Sequence, residues 1–421
     1  SNIDAIRKSQ LYINNGNNTF TEKAAEYNLA DTGITTHAAF FDYDKDGDLD
    51  CYLLNHAVHN TRSYDRVNTR SLKDNEAGDY LYRNDGGKFV DVSKESGIYQ
   101  AAMGYGLGIS VADINNDGWL DIYVSNDFHE DDYYYINQKD GTYKEGIRDH
   151  FKHLSRFSMG SDVADINNDG LQDLFFAGSM VSSKLYINKG NFQFEDITER
   201  AGLQTDQWCT GVTIVDINND GFSDIYLSSS HSANADKRRN KLFINDGKLH
   251  FTEQAIAYGL ADTGYSTQAA FLDFDKDGDV DMYLLNHRLY SHTANNLQPK
   301  DTSGASPAQD KLYMNMGVQA GTNHPVFTDV TIEAGIKEDG YGLGIVVTDA
   351  NGDNWPDIYI ANDYIGNDLL WINNQDGTFS NMIAASIKYQ SYNSMGVDAA
   401  DINNDLLPDL VTLDMLPETN E

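Results

Sequence analysis

The chain has 421 residues, 65 of them acidic against 30 basic, for a formal charge of −35, and 40% of it is hydrophobic. That charge argues against nucleic acid as a partner, because phosphate binding needs a basic footprint, and the hydrophobic and aromatic share argues against an unfolded acidic tail. No apolar run reaches the length of a membrane-spanning helix, and Cys51 and Cys209 lie in apolar strand-like runs as buried free thiols rather than a disulfide.

In chain order the first element is a hairpin, Leu11-Tyr-Ile-Asn-Asn-Gly16 running to Phe20. Next comes a nine-residue acidic loop, Asp42-Tyr-Asp44-Lys-Asp46-Gly47-Asp48-Leu-Asp50, with side-chain oxygens at positions 1, 3, 5 and 9. Both elements then alternate to the end of the chain. The acidic loop returns at Asp113, Asn115, Asp117 and Asp121; at Asp165, Asn167, Asp169 and Asp173; and at Asp216, Asn218, Asp220 and Asp224. Its last three copies are Asp273, Asp275, Asp277 and Asp281; Asp349, Asn351, Asp353 and Asp357; and Asp401, Asn403, Asp405 and Asp409. The hairpin recurs from Leu81 to Phe89, Tyr134 to Tyr143, Leu185 to Phe194, Leu242 to Phe251, Leu312 to Phe327 and Leu370 to Phe379, mostly with Asn-Gly or Asp-Gly at its tip. Short β-branched and aromatic runs flank every acidic loop, as in Gly108-Ile-Ser-Val-Ala112 before the second and Leu120-Asp-Ile-Tyr-Val124 after it. The absence of a 3.6-residue apolar period excludes the helices of an EF-hand.

Two hairpins make a four-stranded sheet, so seven of each predict an all-β, seven-bladed β-propeller. The expected blades are about 37–92, 103–146, 157–198, 208–254, 266–331 and 340–381, with a seventh from 394–415 plus 9–24. In that seventh blade the C-terminus supplies the inner strands and the N-terminus the outer ones, which closes the ring without an open edge. A longer repeat is superimposed: Phe20–His56 matches Phe251–His287 at 26 of 37 positions, and Gly104-Tyr-Gly-Leu-Gly-Ile109 recurs at 340–345. Blades 1, 2 and 3 therefore correspond to 5, 6 and 7, with blade 4 unmatched. Insertions at 57–79, 228–241 and 288–310 all join the second strand to the third, and so emerge on the face opposite the acidic loops.

Oxygens at alternate positions wrap one point, a glycine at position 6 turns the backbone, and position 9 completes a hard-cation site. The ligand set favours Ca²⁺ over Mg²⁺, which keeps several waters, and over Zn²⁺, which takes Cys or His. Asn354 and Leu406 replace the glycine, so weaker occupancy is expected in the last two loops, least of all at 401–409.

The motif Asp-x-Asn-x-Asp-Gly-x-x-Asp between short strands resembles the FG-GAP or VCBS repeat, which builds the propeller of integrin α-subunits. Lys184-Leu-Tyr-Ile-Asn-Lys-Gly190, Phe194-Glu-Asp-Ile-Thr198 and Ala164-Asp-Ile-Asn-Asn-Asp-Gly170 are similar to surface proteins of Bacteroidetes-type bacteria that carry VCBS repeats with an ASPIC/UnbV module, related to the cartilage acidic proteins. The resemblance implies that the Asp and Asn side chains of each loop hold up to seven structural Ca²⁺ ions. It also implies an extracellular or cell-surface location, with a bacterial outer-membrane anchor in a region outside this chain.

The insertions carry a different chemistry: His56, His59, Arg62, Tyr64 and Arg66 from blade 1, Arg238 from blade 4, and His287, Arg288, Tyr290 and His292 from blade 5. Ordinary solvated loop residues would look the same; as a site they would bind a glycan or an acidic protein through ring stacking and arginine forks. The expected function is a non-enzymatic binding propeller for a protein or glycan partner. A polysaccharide lyase using these His, Arg and Tyr residues is the alternative, and a docking subunit of an outer-membrane complex is a third reading.

Overall fold

A computed structural model describes residues 8–57, 72–128, 130–151, 157–288, 300–306, 308–363, 366–391 and 393–414. The strands form seven four-stranded antiparallel sheets. Blade 1 runs outward through Thr35–Phe41, Asp50–Asn55, Tyr80–Asn84 and Phe89–Asp91. Neighbouring inner strands touch all round the ring, including Ser394–Ala400 of blade 7 against Thr35–Phe41 of blade 1. The closure follows the sequence expectation: Gln10–Asn14 pairs with Asp409–Asp414, Leu11 opposite Val411, so both ends of the chain share one sheet.

The second strand of every blade is buried along its whole length, because it sits mid-sheet with another blade on each face. Each of the seven main hydrophobic clusters draws on two adjacent blades, such as Phe175 and Leu185 of blade 3 with Ile225 and Phe243 of blade 4. The core is thus seven wedges, and no blade buries its faces alone.

All-β patterning leaves out one recurrent detail. Six single helical turns follow outer strands, among them Ala24–Tyr27, Ser93–Ser96 and Thr198–Ala201. Each is started by an acidic or amide side chain two residues earlier, as when Asp196 accepts from the Thr198 N–H at 3.0 Å. A residue in the left-handed region ends most of them, Gly97 and Gly202 for example.

In five blades the asparagine closing the third strand joins blades as well as strands. The Asn188 amide donates to Gln172 O of its own acidic hairpin at 3.0 Å and to Ile114 O of the preceding blade at 2.7 Å. Asn14, Asn137, Asn245 and Asn373 make the same two-blade clasp. Asn188→Ala leaves two buried carbonyls without donors and is expected to cost about 2–3 kcal/mol in urea unfolding. Asn17→Ala, on an exposed tip, is expected to stay within about 0.5 kcal/mol.

Candidate metal centres and the insertion face

All seven acidic loops follow one backbone path. Position 4 has positive φ in every copy (Lys45, Asn116, Asn168, Asn219, Lys276, Gly352, Asn404), and so does position 6, including Asn354 at 66° and Leu406 at 71°. The sequence reading located the second of these turns and missed the first. Loop 6 exchanges the two residue types, with glycine at position 4 and asparagine at position 6. Leu406 takes the turn at a backbone cost of about 1–2 kcal/mol, and its side chain is 91% exposed.

The turns aim backbone N–H groups at the first carboxylate. Its two oxygens accept from positions 5 and 6 in all seven loops, at 2.7–3.2 Å. The position-5 carboxylate accepts from the N–H of position 7. The carboxylates at positions 1 and 5 are therefore held in place by backbone N–H groups.

Position 9 is buried in every copy. One oxygen accepts from the asparagine N–H that ends the third strand, for instance Asn84 N to Asp50 at 2.9 Å and Asn315 N to Asp281 at 2.7 Å. In six loops the other oxygen accepts from the N–H of position 2; in loop 2 it accepts from the Tyr134 hydroxyl. Burial, more than the neighbouring carboxylates, pushes six of these groups up to about 7 and Asp409 to about 6. A cation would reverse that shift.

The donor set fits a hard cation on two further grounds. The buried Asn115 Oδ1, at a ligand position of loop 2, has no hydrogen-bond partner. In loops 1 and 5, oxygens of Asp42, Asp44 and Asp50, and of Asp273, Asp275 and Asp281, lie within 4.8 Å of one another. Burial and then the adjacent carboxylates raise Asp44 and Asp275. In three of the five loops with asparagine at position 3, its amide instead donates to position 5, from Asn167, Asn351 and Asn403 at 3.0 Å. Loops 1 and 5 thus hold the densest negative charge. They also latch onto their neighbours, with Lys45 4.5 Å over the Trp119 ring and Lys276 4.7 Å over Trp355.

On the opposite face, His56 and His287 occupy equivalent positions at the roots of two insertions. Their rings lie edge-on to Tyr105 and Tyr341 at 5.5 and 5.6 Å, each Nδ1 is buried without a partner, and burial lowers both pKa values. The Arg238 guanidinium lies 4.5 Å over Tyr265 and donates to Thr263 O and Ser232 O, so it ties its loop to the next blade. Arg288 faces buried Asp339 at 3.7 Å. His59, Arg62, Tyr64, Arg66, Tyr290 and His292 lie outside the described residues.

A second set of aspartates went unread in the sequence. Asp79, Asp132, Asp310 and Asp368, five residues before the clasping asparagines, are buried at the insertion-face end of the third strand. Each accepts from a second-strand tyrosine hydroxyl and from the N–H of the asparagine ending that strand, as Asp132 does from Tyr123 at 2.9 Å and Asn126 at 2.7 Å. Blade 4 has Tyr226 with Asn240, while blades 3 and 7 pair Phe175 and Val411 with Ser183 and Ser9. The series Asp, Asp, Ser, Asn, Asp, Asp, Ser repeats blades 1–3 in 5–7.

FG-GAP-like repeat sequences match residues 4–53, 71–124, 113–176, 165–227 and 349–412. The chain belongs to the FG-GAP-like repeat family. Each FG-GAP-like match joins the outer hairpin of one blade to the inner hairpin of the next, half a blade out of phase with the sheets. Among curated proteins it is similar to cartilage acidic protein 1 of Mus musculus, 24% identical over 76% of this chain and 47% of that protein. The Homo sapiens protein of the same name is 21% identical over 80% and 57%, so the chain spans about half the length of these relatives. Among solved structures, an Agrocybe aegerita lectin that recognises non-reducing terminal N-acetylglucosamine covers 89% of this chain and 88% of its own at 14% identity, with a TM-score of 0.45.

Burial pushes Asp79 and Asp310 up to about 7, Asp368 to about 6 and Asp132 to about 8. Their folded-state pKa values exceed the unfolded ones, so stability is fullest below about pH 4 and falls as pH rises through about 6–8. Asp132→Asn, the residue type blade 4 already uses, is expected to make the fall in urea-measured stability between pH 4 and 8 shallower by one proton. An unchanged slope would show that Asp132 titrates normally.

Proposed function

We propose that this FG-GAP-like propeller is a calcium-stabilised, non-enzymatic binding protein of the cell surface or extracellular space, whose insertion face takes a protein or glycan partner. The observation that carries the calcium half is the clustering of three carboxylates in loops 1 and 5, on a backbone path that all seven loops share. In this reading Ca²⁺ joins the start of the second strand to the loop before it and relieves the buried carboxylate at position 9. The four-aspartate loops 1 and 5 bind it most tightly and the 401–409 loop most weakly, because affinity rises with ligand charge and a pre-formed turn.

Support for the partner half is positional. The long insertions of blades 1 and 5 leave equivalent strand ends on one face of a rigid ring, where variable loops serve recognition. The relatives named cartilage acidic protein fit an extracellular setting. An outer-membrane assembly, with this disc as a docking subunit, is the bacterial form of the same proposal. No observation among the described residues favours the lyase alternative.

Thermal melts with and without chelator, together with elemental analysis, test the calcium reading; an equal Tm and no bound metal would overturn it. Titration calorimetry is expected to resolve two tighter sites from weaker ones near Kd ~10⁻⁴–10⁻³ M. Asp44→Asn with Asp275→Asn is expected to remove the tighter class. For the partner, glycan-array and surface pull-down signals should vanish in a His59, Arg62, Tyr64 and Tyr290 to Ala variant whose melt is unchanged.

A further inference from the structure

The inner strands converge on an axial cavity of about 320 Å³, lined from all seven blades. Every inner strand carries a bulge at this level, between the first and third residue. The third position is glycine in five blades (Gly108, Gly160, Gly211, Gly344, Gly396) and a side chain in two, His37 and Gln268. Those two belong to blades 1 and 5, the pair related by the internal repeat.

Four of the glycines have a packing reason. A Cβ at Gly108 or Gly344 would come within 3.0 or 2.9 Å of the next blade's glycine Cα, and one at Gly211 or Gly396 within 2.4 Å of a carbonyl oxygen. Gly160 has none: its φ is not positive, and a Cβ there would meet only Thr210 O, at 3.9 Å. Neither sterics nor backbone conformation demands glycine at 160, and its missing side chain leaves the lumen open at blade 3.

The wall chemistry narrows what could enter. Thr36, Thr210 and Thr267 donate their hydroxyls to the next blade's Gly106, Ser266 and Gly342 carbonyls at 2.8, 2.7 and 3.1 Å, so their methyl groups remain for the lumen. Leu107, Met159, Val212, Leu343, Met395 and Val397 complete an apolar wall. Three polar side chains interrupt it, of which Ser161 is already paired with the Ser110 hydroxyl at 2.9 Å. His37 Nδ1 donates to Ala38 O at 2.8 Å, and in the neutral ring Nε2 is then an acceptor. The Gln268 amide nitrogen reaches Val212 O at 3.3 Å, which leaves Oε1 as the second acceptor.

We propose that this lumen is a binding site for a small uncharged molecule with an apolar body and N–H or O–H donors, received by His37 and Gln268. Its size and its mostly apolar lining with a few placed polar groups are those of a small-ligand pocket. None of its lining residues belongs to an acidic loop.

The test uses the full chain in calcium buffer and N-phenyl-1-naphthylamine, an uncharged apolar amine whose emission rises on burial. Saturable one-to-one binding is expected. Gly160→Phe should weaken it about tenfold or more by filling the lumen, and His37→Ala about fivefold by removing one hydrogen bond. Met180→Ser, which removes an exposed apolar side chain, should change nothing. Absence of saturable binding, unchanged affinity in Gly160→Phe with a cooperative melt, or loss in Met180→Ser would each overturn the proposal. If Gly160→Phe does not melt cooperatively, Met395→Trp plugs the lumen from the opposite side and decides the matter by the same criterion.

Discussion

Each blade depends on a staple between its second and third strands, and in four blades the staple is reciprocal. The second strand opens with a buried aspartate that accepts from the N–H ending the third, as Asp50 does from Asn84. In four blades an aspartate just before the third strand accepts from the N–H ending the second, as Asp79 does from Asn55. Sheet ladders leave such terminal N–H groups unpaired, and buried ones are costly. A carboxylate at each end satisfies them and fixes the register, which determines which face of the strand enters which wedge.

The same staple prepares the loop for a cation. An aspartate held at position 9 by strand pairing cannot swing away, and the N–H groups of positions 5 and 6 hold the carboxylate at position 1. What remains facing inward is an arrangement of oxygens set by the fold before any ion arrives. Preorganisation of this kind concentrates negative charge at a buried point. Protonation, which the raised carboxyl pKa values favour, or a bound metal would each relieve it.

Blade number, the inner hairpin, ring closure and the 1–3 to 5–7 correspondence were legible because period-2 strands and a nine-residue loop repeat within one chain. Asp42 through Asp409 could be placed by spacing alone. Lys45 and Asn116 could not be recognised as left-handed, since position 4 varies in residue type and only the shared φ unites the copies. Asp79 and Asp132 resembled solvated loop acids, and their pairing with Tyr52 and Tyr123 shows only once the second and third strands lie side by side. Gly160 was illegible for another reason: a glycine required by close packing and one that leaves space look identical until the neighbouring strand is in place.

Ring closure also sets an order on folding. Contacts within a blade and with the next blade span a few tens of residues, whereas Gln10–Asn14 meets Asp409–Asp414 across almost the entire chain. The first hairpin of the ring therefore has no sheet to join until the last one has been made. In the interval the second strand of blade 7 is missing and the inner edge of Gln10–Asn14 stands open, a template for pairing with another chain. Forming this one sheet is both the slowest contact in topological terms and the event that turns an open arc into a ring, so the risk of misassembly is concentrated in a single late step.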